Sequence, residues 1–151
     1  MIGVEQIMPL LLESCPTFRP AWDAHLAGPY GSTGIYTDAS AFVQFLIEEH
    51  EKGRGATIAS AFAILERIFE EGDEETKTVA ALGIIETLQS VADWRPYKAV
   101  VFEPFLGPRS RLAWDEVYLF WEGKIPFITL ERGPAELKAL KEGRGPAKED
   151  I

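Results

Sequence analysis

The sequence predicts an all-α fold of about six helices in stacked antiparallel hairpins, and three observations carry that expectation. Apolar residues recur at steps of three and four through most of the chain, the spacing that lines one face of a helix. Gly and Pro cluster between these periodic stretches and mark their ends. Only residues 125–130 (IPFITL) read as a strand, and a lone strand has no ladder partner in its own chain. At 151 residues the chain is expected to bury one sizeable core.

The first helix covers residues 4–14, with Ile7, Leu10, Leu11 and Leu12 on its apolar face. Pro9 is positioned to bend it and Pro16 ends it. A shorter second helix spans 20–27, since proline is tolerated in a first turn. Residues 28–34 (GPYGSTG) form a loop that matches a phosphate-binding loop only in composition, because the Walker lysine and a preceding strand are missing. The third helix runs over 38–52 with Phe42, Phe45 and Leu46 inward, and the GRG at 53–55 breaks it. The fourth, 56–71, packs Ile58, Phe62, Leu65 and Phe69. The fifth, 73–92, packs Val79, Leu82, Ile85 and Leu88 behind an Asp73 N-cap.

Pro96, Pro104 and Pro108 make the following segment irregular or only briefly helical. Ser110 is expected to cap a sixth helix, 110–121, carrying Leu112, Trp114, Val117, Tyr118 and Trp121. The folded domain is thus placed at 1–121. Residues 122–151 read as a partly disordered C-terminal extension with a short helix at 134–142 and a Gly-, Pro- and charge-rich tail at 143–151. No clean internal repeat supports a solenoid, so a HEAT-like stack stands beside an irregular array.

The formal charge is −9, and it is unevenly placed. Residues 1–121 hold 18 acids and 9 bases, whereas 122–151 hold 6 of each. An acidic surface repels phosphate backbones and anionic membranes, so neither nucleic acid nor membrane is the expected partner; a basic protein is. Cys15 stands alone, which excludes an intramolecular disulfide and fits a reducing compartment. The opening MIGVEQIMPLLLES has no cationic region and does not read as a signal peptide. No apolar run reaches the roughly 20 residues of a membrane span. A cytoplasmic location is the expectation.

Chemistry-bearing residues are sparse. His25 and His50 have no recurrent spacing to other ligand types, so no metal or cofactor is expected, and His50 suits the last turn of its helix as a dipole partner. Cys15, before a proline at a helix end, reads as a small hydrophobe. The acidic corner around the fourth and fifth helices stands out more. Asp73, Glu74 and Glu75 suit a helix start, but Glu70 and Glu71 sit at a helix C-terminus, where negative charge is unfavourable. This corner is either a solvated hinge or a docking patch for a cationic partner, with Glu48, Glu49 and Glu51 extending it if the third helix lies alongside. Successive carboxylates on one hinge do not face each other across a pocket, which argues against acid–base catalysis. Trp94, in Asp93-Trp94-Arg95-Pro96 at a helix end, is either an interface anchor or a capping contact onto the core.

Three segments carry a resemblance. They are LLESCPTFRPAWDAHLAG (11–28) with the helix after it, EEGDEETKTVAALGIIETLQSVA (70–92), and FEPFLGPRSRLAWDEVYLFW (102–121), in which the Phe-Leu-Gly-Pro-x-Ser step precedes a helix ending in Phe120-Trp121. Together they resemble, over residues 10–121, a family of small bacterial proteins of unknown function. Several such acidic all-helical families lie beside polymorphic toxins as immunity proteins. The resemblance carries no catalytic residue onto this chain and implies binding without chemistry, with a cognate toxin as partner. A helical adaptor or regulatory scaffold holding a peptide in a groove is the alternative.

Overall fold

A computed structural model of the chain describes residues 1–144. The expected disorder of the tail therefore falls, from Gly145 on, outside the described residues. All regular elements among them are helical. The α-helices are α1 (Ile7–Ser14), α2 (Arg19–Ala27), α3 (Ile35–Glu51), α4 (Gly55–Glu71), α5 (Glu74–Val79), α6 (Glu86–Asp93), α7 (Pro108–Trp121) and α8 (Pro134–Lys141). Eight helices replace the expected six for two reasons. A π-helical segment, Ala80–Ile85, divides the fifth predicted helix into α5 and α6, and α8 realises the short helix of the extension.

Residues 125–130 do not form a strand. The chain turns there, and the backbone N–H groups of Thr129 and Leu130 donate to the Glu116 carboxylate at 2.8 and 2.9 Å instead of to a ladder. The extended pairing that does occur is an isolated bridge at the N-terminus. Ile2 N–H donates to Glu71 O at 2.9 Å and Asp73 N–H donates to Ile2 O at 3.0 Å, so the first residues strap the hinge between α4 and α5.

Local chemistry explains most boundaries. Pro9 is the third residue of α1, where its missing N–H had no intrahelical acceptor, and the helix continues through it. Asp73 caps α5, accepting from Thr76 N–H at 2.8 Å and Thr76 Oγ1 at 2.6 Å. At α7 the sequence reading needs correction: Gly107, not Ser110, is the N-cap residue, and the helix begins at Pro108. The orphan N–H groups of Arg109 and Ser110 donate at 2.7 and 2.9 Å to Glu66, a residue of α4. A Cβ at position 107 would lie 2.5 Å from Glu66 Oε1, so glycine is what admits this carboxylate.

One main core holds the helices, and a smaller cluster lies beneath the chain that follows α7. Phe18, Phe42, Phe62, Phe102 and Trp114 are fully buried, and Phe18 meets Phe42 edge-on at 5.0 Å between ring centroids. Gly83, within the π-helical segment, lets α3 approach closely: a Cβ there would stand 3.2 Å from Tyr36 and 3.3 Å from Ala39. The chain after α7 folds back onto it. Ile125, Leu137 and Leu140 bury against Leu119, and Lys141 pairs with Asp115 at 2.8 Å. Among the described residues no helix is long and apolar enough to cross a membrane.

Candidate binding surface

The nine residues singled out by the sequence do not form one patch. α3 and α6 end together, since Arg95 and Tyr97, just past α6, reach Glu51 at 3.4 and 2.9 Å. The hinge lies at the other end of α4, whose 17 residues span about 25 Å. Glu48, Glu51 and Trp94 thus occupy one end of the helical array, and Glu70, Glu71, Asp73, Glu74 and Glu75 the other. The expected extension of the hinge patch by the third helix does not occur.

Glu49 belongs to neither. It is 2% exposed, in contact range of Arg54 at 3.4 Å through Oε2, and its Oε1 has no hydrogen-bond partner among the described residues. A buried side chain is unavailable to a partner, so Glu49 is withdrawn from the surface. Helical spacing carried the signal: Phe42, Phe45 and Leu46 point inward, and position 49 follows them at seven, four and three residues. Glu49 also bears on Cys15. Burial first, and the nearby Glu49 charge second, push the Cys15 thiol up to about 11.

The hinge is largely compensated. Glu71 pairs with Arg67 at 3.2 Å, one turn earlier, and Glu70 lies 3.8 Å from Arg109 on α7. The unfavourable placement of Glu71 at a helix C-terminus is therefore offset by Arg67, an i,i+4 neighbour legible in the sequence, while Glu70 has only a looser contact with Arg109 on another helix. The bonds from Thr76 hold the Asp73 carboxyl below its ordinary range. Glu74 and Glu75 remain exposed in the first turn of α5.

The Trp94 end is built differently. Trp94 is 88% exposed, which rules out the capping contact onto the core. Its corner is nevertheless tightly tied. Asp93 accepts from Ala99 N–H and from Tyr118 Oη, both at 2.8 Å, while Lys98 Nζ donates to Asp93 O at 3.1 Å. Lys98 holds a φ of 64°, a left-handed conformation that a non-glycine residue adopts at a cost of about 1–2 kcal/mol. Val100 is also exposed, and Glu48 faces solvent one helical turn from Glu51. Burial, then the Asp93 carboxylate, push the Tyr118 phenol upward; burial and Glu51 do the same for Tyr97. His50 packs on Tyr97 and Phe102 at 4.5 and 5.5 Å between rings, so it serves this corner as an aromatic rather than only as a dipole partner.

His25 enters a polar row that the sequence reading missed. Its Nε2 lies 2.9 Å from Asp38 Oδ1, and Ser32 Oγ donates to Asp38 Oδ2 at 2.8 Å. The carboxylate stands between the other two groups, so the imidazole does not reach the hydroxyl as a triad base would. The row instead ties the 28–34 loop and α2 to the start of α3.

The fold and surface define an all-helical acidic protein with a tryptophan exposed on a hydrogen-bonded corner. Residues 8–122 match the family described as a domain of unknown function (DUF7674), and the chain belongs to that family. No curated protein and no solved structure matches the chain.

Proposed function

We propose that this protein is a non-enzymatic binding protein, an immunity protein that neutralises a cognate bacterial toxin by steric and electrostatic occlusion. The observation that carries the reading is Trp94: a large, almost fully exposed aromatic on a corner fixed by Asp93, Lys98 and Tyr118. The backbone beneath it is already tied, so docking orders little beyond the indole itself, and tryptophans dominate the energetics of tight interfaces. The charge of −9 adds long-range attraction for a basic toxin and speeds encounter. Glu48 is exposed at the same end of the array, where Glu51 is paired with Arg95, and Glu74 and Glu75 carry exposed negative charge at the far end.

Co-expression with the product of the adjacent gene tests the reading. The expected result is a complex on gel filtration and rescue of growth; neither complex nor rescue would overturn it. Within a complex, Trp94→Ala is expected to weaken binding about 30-fold, equivalent to about 2 kcal/mol. Unchanged affinity would move the interface to the hinge, where charge reversal at Glu70, Glu71, Glu74 and Glu75 should then slow association and flatten its salt dependence.

A further inference from the structure

A pocket of ≈ 70 Å³ opens between the end of α4, α5, α7 and the chain that follows α7. Its lining is at odds with the acidity of the protein. Among the described residues Lys77, Arg109 and Arg132 line it together with one carboxylate, Glu116, and with the apolar side chains of Phe69 and Leu130, while Glu70 and Glu136 approach Arg109 and Arg132 from outside the lining. Glu116 is already saturated: Thr129 N–H, Thr129 Oγ1 and Leu130 N–H donate to it at 2.8, 3.1 and 2.9 Å, and Arg132 pairs with it. Arg132 is held in place by that pair and by Glu136 at 3.5 Å.

The other two cations are less committed. Arg109 has Glu70 at 3.8 Å, beyond hydrogen-bond range, and Lys77 has no ion-pair partner among the described residues. Two cations with donors to spare, beside a third fixed in position, make a site for negative charge. The apolar side chains of the lining lower the local dielectric and strengthen that attraction. The volume fits a group of a few heavy atoms and not a nucleotide.

We propose that this pocket binds a phosphate-sized oxyanion, with Lys77 and Arg109 as its ligands and Arg132 as the fixed charge behind them. The oxyanion is either free inorganic phosphate or the phosphoryl group of a monoester whose remainder lies outside the pocket. The site is independent of the Trp94 corner and stands whether or not a toxin is the partner.

Thermal unfolding of the full chain in inorganic phosphate, against sodium chloride at matched ionic strength, reads the site. Wild type should show a saturable rise in melting temperature of about 4 °C at ten times the dissociation constant. Lys77→Met should lose at least half of that rise, and so should Arg109→Gln, a second variant on a solvent-reaching side chain. A parallel titration with glycerol 2-phosphate separates the sources: a lower midpoint than phosphate points to a monoester, an equal one to the free ion. A rise no larger than that in chloride, or variants that keep all of it, would overturn the proposal.

Discussion

Glu66 and Ser110 are joined twice: the Ser110 N–H and Oγ donate to the same Glu66 oxygen at 2.9 and 3.0 Å. A side chain of α4 thereby serves as the N-terminal cap of α7, 44 residues away in sequence. Glu66→Ala removes the acceptor for these donors and for Arg109 N–H. The expected loss is about 2 kcal/mol in urea unfolding, with Glu66→Gln recovering part of it. A loss no greater than that of an ordinary surface substitution would show that water caps α7 equally well.

The Glu116–Arg132 pair anchors the chain beyond α7. Both side chains are largely buried, and Glu116 also holds Leu130 at its φ of 62°. Arg132→Met leaves a buried carboxylate without its counter-charge and should cost about 3 kcal/mol. Hydrogen exchange should show the protection of residues 125–132 falling first. Retained protection there would assign the anchoring to the Leu119, Ile125, Leu137 and Leu140 cluster instead.

Trp94 should be neutral for folding, whatever its role in binding. Trp94→Ala is expected to leave stability within about 0.5 kcal/mol of wild type, because the side chain contributes almost nothing to the core. Trp94→Phe should remove the tryptophan emission most accessible to acrylamide quenching. Quenching that stays the same would place this indole against the protein surface.

Cys15 should be chemically silent in the folded protein. Its thiol is buried and pushed up to about 11, so little thiolate exists at pH 8. Iodoacetamide should modify it only after unfolding. Because the folded value lies above the unfolded one, this group's contribution to stability is complete below the unfolded value and lost as pH rises through about 11. Rapid native alkylation at pH 8 would contradict the burial.

Asp73 has the opposite sign. Its carboxyl is depressed by Thr76, so its contribution is present above the ordinary aspartate range and disappears as pH falls through the depressed folded value. Asp73→Ala should lower the melting temperature at neutral pH, and the gap to wild type should close in acid. A gap independent of pH would assign the cap's effect to helix geometry and not to charge.

Much of the helical layout was legible in the sequence because it depends on neighbours along the chain. Apolar steps of three and four located α3, α4 and α7, Gly-rich breaks separated α3 from α4, and Asp73 announced its own helix. The same periodicity even held the correction for Glu49, whose position follows the inward set of α3. The π-helical segment was not legible, since Gly83 takes its meaning from the approach of Tyr36 and Ala39. Residues 125–130 look like a strand because their pattern is apolar and β-branched, but the acceptor for their N–H groups is a buried carboxylate on another helix.

By itself the sequence determined the helical class and the acidic balance, both properties of composition and local spacing, and its match over residues 8–122 determined the family. The tertiary structure alone decided which charges are spent. Glu70 and Glu71 meet arginines, Glu116 takes four donors, and Glu49 disappears into the core, while Trp94 is left in water and Lys77 faces a pocket. Apart from the i,i+4 pair of Glu71 with Arg67, those outcomes turn on contacts between different elements, and such contacts exist only once the helices have packed.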